Sequence, residues 1–176
     1  MKKKIATVMI GVLVLAAGIT ACNGKEKPTA SDIPAVSETS EISGAAADVL
    51  STADCYKAIQ EKIALPEMYL ADDEYIMNYY GIDTAKLSDY TFASCTDPTR
   101  TDTVILMELK DEADADEIEA CLNLYLEQME AEMENYNPAA NELVKASSVR
   151  RNGNRIDLII CEDRESALAL ADGTSK

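Results

Sequence analysis

An uncharged apolar run near the amino terminus limits how much of this chain can contribute to a folded core. The run occupies residues 5–19 and follows three lysines at positions 2–4. It is shorter than the roughly 20 residues that a membrane-spanning helix needs. A basic start followed by a short apolar stretch is typical of a cleavable export signal. We therefore predict that residues 1–21 are a signal peptide and that the fold begins later.

A cysteine stands directly after this run. Thr20 and Ala21 are small and precede Cys22, beyond which the sequence turns polar. The arrangement resembles the lipobox of bacterial lipoproteins, whose cysteine receives acyl chains such as palmitate. We predict cleavage after Ala21 and lipidation of Cys22, the alternative being an uncleaved apolar anchor. Two acyl chains suffice for stable anchoring, which places the protein on the outer face of the cytoplasmic membrane.

The segment from Cys22 to position 44 is rich in Ser, Thr, Pro, Ala, Lys and Glu and has no aromatic residue. Such a composition buries too little apolar surface to order itself, which predicts a disordered tether. Residues 45–173 are enough for a single domain with one core. The last residues, 174–176, are expected to form a tail.

Charge and composition exclude several classes of function. Without the signal lysines, 13 of the 16 basic residues face 32 acidic ones, so the net charge is −19. This field repels nucleic acid, and we expect no nucleic-acid partner. The chain has no histidine, which excludes Ser-His-Asp and Cys-His catalysis and argues against a metal site. We predict no cofactor, no catalytic residue and no enzymatic activity; a hydrolase with paired carboxylates is the third-ranked hypothesis.

Four further cysteines lie in the predicted domain, at Cys55, Cys95, Cys121 and Cys161. An even number outside the cell permits one or two disulfides, with three connectivities. Their apolar neighbours favour buried free thiols instead. Both interpretations stay open at this point.

Hydrophobic periodicity predicts helices and strands in the order ααββααββα. The helices are expected at residues 45–64, 72–80, 115–136, about 138–143 and 164–171, and the strands at 88–96, 103–109, 147–151 and 155–161. Asn152-Gly153 is a strong hairpin signal between the last two strands. Hairpins separated by helices predict an α+β fold with an antiparallel sheet of about four strands.

The second strand predicts a difference between the two faces of this sheet. One face of that strand is wholly apolar, but Glu108 interrupts Val104 and Leu106 on the other. We expect the interrupted face to be only partly covered. Such a surface is suited to a protein partner or to a second copy of the chain, which would give a homodimer.

Two clusters are candidate binding sites. Tyr75, Tyr79 and Tyr80 offer a ligand patch, although their i,i+4 spacing favours ordinary packing. Arg150, Arg151 and Arg155 lie around the last hairpin and suit an acidic partner, wall phosphate or a lipid headgroup. Neutralisation of the acidic helix beside them is the interpretation that we favour.

Several segments together resemble a known family. They are Tyr79-Tyr80-Gly81-Ile82-Asp83, the strands that follow, the long acidic helix that leads into Tyr136-Asn137-Pro138, and the hairpin at Asn152-Gly153. Over most of residues 50–171 the chain resembles a lipid-anchored family of Gram-positive bacteria catalogued as domain of unknown function 4358. The resemblance implies domain extent and export, and it implies no catalytic residue because the family has no assigned activity.

These observations favour a lipid-anchored extracytoplasmic lipoprotein that acts as a non-catalytic binding or accessory module for a protein of the cell envelope. The alternative is a lipoprotein that binds a small ligand or an envelope polymer through the tyrosine or arginine cluster. A ligand that binds the folded state well above its Kd raises the melting midpoint, so a thermal-shift screen distinguishes the two.

Overall fold

Residues 50–173 are described by a computed structural model; Ala21, Cys22, the predicted signal and the predicted tether lie outside the described residues. The helices are α1 (Thr52–Lys62), α2 (Asp73–Tyr75), α3 (Ala115–Tyr136), α4 (Pro138–Lys145) and α5 (Arg164–Ala171). The strands are β1 (Met68–Leu70), β2 (Leu87–Cys95), β3 (Thr103–Leu109), β4 (Arg150–Asn152) and β5 (Arg155–Ile160). Within this range no helix is long and apolar enough to cross a membrane.

The strands form one antiparallel sheet in the order β1-β2-β3-β5-β4. The predicted α+β class is confirmed, with five strands rather than about four. The additional strand is β1, which pairs with the end of β2 so that Met68 lies opposite Cys95. Three residues are too few to show a period-2 pattern, so the sequence gives no signal for this strand.

The boundary between α3 and α4 shows how single residues fix the elements. Asn137 ends α3, and its side-chain oxygen accepts a hydrogen bond from the Ala140 N–H at the start of α4. Pro138 occupies the first turn of α4, where its missing N–H does no harm. A single residue, Asn137, therefore separates the two helices.

Helices cover both faces of the sheet. On one face α3, α4 and residues 76–82 pack on the apolar side chains of β3 that include Ile105 and Met107. On the other face α1 and α5 pack on Val104 and Leu106, which are fully buried. The prediction of a partly open face is therefore wrong.

Glu108 does not interrupt the covered surface because it lies near the end of β3, where its carboxylate accepts a hydrogen bond from Arg155 at 3.2 Å. The small residues Ala167 and Ala171 of α5 are buried on this side and allow the helix to lie close to the sheet. The argument for a partner or a second copy on this face no longer holds.

The last hairpin turns one residue later than the dipeptide signal indicates. Asn152 belongs to β4 and pairs with Arg155, so Gly153 and Asn154 form the two-residue loop. Gly153 has φ of +58°, a left-handed conformation that glycine adopts without steric cost. Of the predicted strand 147–151, only Arg150 and Arg151 are paired, and the strand continues to Asn152.

All four cysteines of the described range are free thiols. Cys55 and Cys161 are buried, whereas Cys95 and Cys121 are partly exposed. Burial raises the pKa of the Cys55 thiol, and burial beside Asp102 raises that of Cys161 to about 11. The buried thiols therefore behave as small hydrophobic groups rather than as nucleophiles.

Candidate functional site

A cleft of about 300 Å³ opens at the edge of the molecule where β2 ends and β3 begins. Its walls include the rings of Tyr69, Tyr75, Tyr79 and Tyr125. These residues come from β1, the segment after it and the middle of α3. Strand pairing and helix packing thus bring distant parts of the sequence together at one site.

The local backbone decides where the tyrosines lie. Asp72 caps α2 by accepting a hydrogen bond from the Tyr75 N–H, and α2 continues into a π-helical turn over Ile76–Tyr80. Gly81 ends this turn at φ of +71°, and its N–H donates to the Met77 carbonyl. π-helical turns are rare and occur often at functional sites.

This turn divides the tyrosines between the core and the cleft. Tyr80 is 4% exposed and packs on Phe92, with ring centroids 5.3 Å apart. Tyr79 is 51% exposed and stacks on Tyr75 at 5.1 Å. Packing, which the i,i+4 spacing favours, therefore describes Tyr80, whereas Tyr79 presents ring surface to solvent.

Two pairs of rings meet at steep angles, whereas Tyr75 and Tyr79 stack with their planes 28° apart. The Tyr69 and Tyr75 planes lie 83° apart, and those of Tyr79 and Tyr125 lie 64° apart. The corresponding centroid distances are 5.7 and 5.8 Å. Tilted contacts of this kind are the favoured arrangement for aromatic pairs.

The hydroxyl groups of four tyrosines in and beside the cleft are hydrogen-bonded to other side chains. Tyr69 donates a hydrogen bond to the Tyr75 hydroxyl at 2.8 Å, which crosslinks β1 to the helical segment. The hydroxyls of Tyr80 and Ser94 lie 2.9 Å apart, and those of Tyr125 and Thr103 lie 3.3 Å apart. Each ring is thereby held in one orientation.

Burial and negative neighbours keep these phenols protonated. Burial raises the pKa of Tyr80 to about 12. Burial together with the hydrogen bond to Tyr69 raises the pKa of Tyr75, and burial together with the Glu132 carboxylate raises that of Tyr79. Tyr75 and Tyr79 therefore line the cleft as neutral rings at physiological pH.

Charged residues stand around the rings. Asp97 belongs to the β2–β3 loop, where backbone and side-chain hydrogen bonds from Thr99 lower the pKa of its carboxyl. Arg100 donates from Nε to the buried Asp102 carboxylate at 2.8 Å. Glu132 reaches the cleft from α3. Since Arg100 is neutralised by Asp102, the lining carries an excess of negative charge.

The arginine cluster is arranged differently. Asp157 is 2% exposed and accepts hydrogen bonds from Arg150 and Arg155, each at 2.7 Å. Arg150 also binds Asp172 with two nitrogens, at 2.7 and 2.8 Å. Arg151 reaches Asp116 of α3 at 2.6 Å. Each of the three guanidinium groups thus has carboxylate partners within the protein.

Arg155 lies deepest of the three. Its Nη2 is buried and has no hydrogen-bond partner among the described residues. Burial would lower its pKa, but the carboxylates of Asp157 and Glu108 outweigh that effect and hold the pKa above its ordinary value. Its position beside the Cys55 thiol marks it as part of the interior rather than of a binding surface.

Sequence reasoning identified Tyr75, Tyr79 and Tyr80 as a candidate patch but missed the other side of the cleft. Tyr125 lies on the buried side of α3 and is 5% exposed. No periodic signal relates it to Tyr79, which lies far away in sequence. In the described part of the chain, no group of three or more Cys, Asp or Glu side chains is arranged to hold a metal ion.

The comparisons with known proteins identify a family. The chain belongs to the family described as "Domain of unknown function (DUF4358)", whose model matches residues 47–161. The resemblance noted from the sequence is therefore confirmed for this domain. No curated protein and no solved structure matches the chain.

Proposed function

We propose that this member of the DUF4358 family is a lipid-anchored, non-catalytic binding module of the cell envelope whose ligand site is the tyrosine cleft. The observation that carries the proposal is the exposed Tyr79 ring within a cleft of about 300 Å³ whose neighbouring rings are fixed by hydrogen bonds. Ligand sites are typically concave and partly aromatic, with a few oriented polar groups. Such an arrangement is sufficient for binding, which, unlike catalysis, requires no nucleophile and no general acid or base in the cleft.

A ligand now has more support than an envelope protein partner. The partner hypothesis relied on an open sheet face, and α1 and α5 cover that face. It also relied on the arginine hairpin, whose guanidinium groups bind internal carboxylates. The cleft keeps solvent-facing ring surface, so the ligand-binding alternative is the one that we adopt.

The anchoring part of the proposal depends on Cys22. We expect the wild-type chain to fractionate with the membrane and to carry a diacylglycerol mass on its first mature residue. Cys22→Ala should carry no lipid mass and should keep residues 1–21, because cleavage at a lipobox follows lipidation of the cysteine. A wild-type chain that keeps residues 1–21 and carries no lipid mass would instead support an uncleaved anchor and contradict lipidation.

The binding part is tested by a thermal-shift screen of envelope-derived small molecules and soluble wall fragments against the full-length chain in nonionic detergent. A true ligand raises the melting midpoint of the wild type, because it binds only the folded state. Tyr79→Ala should abolish that rise. Tyr136→Ala is the matched control, since Tyr136 is 63% exposed on α3 and does not line the cleft. A rise of equal size in both variants would place the ligand elsewhere and contradict the proposal.

A further inference from the structure

We infer that the chemical group recognised by the cleft is an organic ammonium ion, bound against the tyrosine rings and the carboxylates beside them. The inference depends on the proposed function, because it specifies the ligand class of the same site. It is carried by three features of the described residues: ring geometry, local charge and the position of Glu132.

Ring geometry is the first feature. Tyr69, Tyr75, Tyr79 and Tyr125 all line the cleft, and successive centroids along this series are 5.7, 5.1 and 5.8 Å apart. A group within the cleft can therefore lie close to more than one ring. The faces of aromatic rings carry negative electrostatic potential and attract a cation within about 6 Å of the centroid.

Rigidity of the rings strengthens this argument. The hydrogen bonds Tyr69–Tyr75 and Tyr125–Thr103 restrain the phenol groups of these three rings. A site that is already ordered loses less entropy when it binds its ligand. The Tyr69 and Tyr125 rings are steeply tilted to the stacked Tyr75–Tyr79 pair, so the lining is not one coplanar platform and suits a rounded group such as an alkylammonium better than a flat ring.

Local charge is the second feature. The lining includes Asp97, Glu132 and the Arg100–Asp102 ion pair. Because Arg100 is already bound to a carboxylate, the cleft presents two more negative charges than positive ones. The whole chain adds a negative field, with a net charge of −16. Both effects raise the local concentration of cations and lower that of anions.

The position of Glu132 is the third feature, because it places a negative charge in the same cleft as the exposed Tyr79 ring. Burial raises the pKa of the Tyr79 phenol, and the Glu132 carboxylate adds to that effect. An ammonium group placed against Tyr79 would lie within the attractive field of that carboxylate. The same field opposes an anionic ligand at this position.

The experiment uses the full-length chain in a nonionic detergent at low ionic strength, without choline-headgroup lipids that would compete. The probes are choline, the diamine cadaverine and 3,3-dimethyl-1-butanol, which has the shape of choline without its charge. We expect saturable calorimetric binding of at least one ammonium probe. The uncharged isostere should bind at least about tenfold more weakly than choline, since the cation–π contribution is lost.

Matched variants locate the site. Tyr79→Leu keeps apolar volume but removes the ring, and should weaken ammonium binding about tenfold, whereas Tyr79→Phe should bind like the wild type. Tyr136→Leu controls for loss of an exposed tyrosine. Glu132→Gln should weaken binding about threefold at low salt, and Glu134→Gln, which lies outside the cleft lining, should not.

The outcomes separate this inference from the proposal beneath it. Equal binding of choline and its uncharged isostere, or no saturable binding of either ammonium probe, overturns the ammonium assignment. If a neutral compound then gives a Tyr79-dependent thermal shift, the binding function stands without the ammonium specificity. Ammonium binding that is unchanged in Tyr79→Leu overturns both, because the bound cation then lies outside the cleft.

Discussion

The tyrosine cleft and the arginine hairpin are both unusual clusters in the sequence, yet the fold treats them in opposite ways. In the hairpin, Arg150 and Arg155 direct their guanidinium groups at the buried Asp157 carboxylate. At the cleft, Tyr79 contacts the buried rings of Tyr80 and Tyr125 but itself remains half exposed. The hairpin arginines therefore have carboxylate partners within the protein, whereas the cleft keeps an aromatic ring exposed to solvent.

The difference follows from the chemistry of the two residue types. In a chain with 32 acidic residues, a guanidinium group finds carboxylates nearby, and a buried carboxylate requires such a partner. A phenol group requires no charged partner, since its hydroxyl needs only one or two hydrogen bonds. Clustering of charge in this protein thus indicates internal structure, and the exposed aromatic surface is the better indication of a site.

Removing the Asp157 carboxylate should lower the stability of the protein more than any other change considered for the two clusters. Asp157→Ala leaves Arg155 buried with only Glu108 as its carboxylate partner, and loss of one member of a buried ion pair costs about 3–5 kcal/mol. We expect the melting midpoint, followed by circular dichroism, to fall by roughly 10 °C or more.

Asp116→Ala is the control for that experiment, because Asp116 is 91% exposed in its pair with Arg151. It should lower the midpoint by no more than about 4 °C. Equal, small changes in the two variants would mean that the hairpin arginines do not stabilise the fold, and would return them to consideration as a binding surface.

A rise to high pH should destabilise the tyrosine cluster but not the arginine hairpin, and the expected loss of unfolding free energy is smaller than that for Asp157→Ala. Burial raises the pKa of Tyr80 from its ordinary value of 10.0 to about 12. The unfolded chain therefore loses this proton first, so the stabilisation is complete below pH 10 and declines as the pH rises toward 12. For Tyr80 alone the loss is about 2–3 kcal/mol.

Urea unfolding at pH 9 and pH 11.5 measures this loss. The difference in unfolding free energy between these pH values should be smaller in Tyr80→Phe than in the wild type. Arg150 does not contribute, because its carboxylate partners outweigh the effect of burial and hold its pKa above the ordinary value. An unchanged pH dependence in Tyr80→Phe would contradict the assignment of this phenol as a buried, neutral group.

Elements with many residues and one clear period were predictable from the sequence. The helix at 115–136 and the strand at 103–109 have the predicted bounds, because a long apolar stripe and a buried apolar run leave few alternatives. Strand β1 was missed since its three residues are extended only through pairing with β2. The prediction of an open sheet face was wrong because Glu108 lies near the end of β3, so its charge says nothing about the exposure of the middle of the strand.

The cleft was predictable only in part, for a related reason. Tyr75 and Tyr79 are near in sequence, so their contact follows from local geometry. Their contacts with Tyr69 and Tyr125 depend on the pairing of β1 and on the packing of α3. Sequence spacing does not predict the contact between Tyr79 and Tyr125 on α3, nor the way in which β1 positions Tyr69 six residues before Tyr75. It also cannot tell which tyrosine of a helical pair faces solvent.

Replacing Arg151 should have the smallest effect on stability, and it compares the exposed side of the hairpin with the side that binds the buried Asp157. Its contacts with Asp116 and Glu119 of α3 are exposed ion pairs, which contribute about 0–1 kcal/mol each. Arg151→Ala should therefore lower the melting midpoint by at most about 4 °C, and less in 0.5 M salt, where exposed pairs are screened. It should also leave ammonium binding in the cleft unchanged, because Arg151 does not line the cleft. A much larger fall would show that Arg151 is as structurally engaged as Arg150, so that the whole hairpin, and not only its buried side, serves to neutralise the acidic helix.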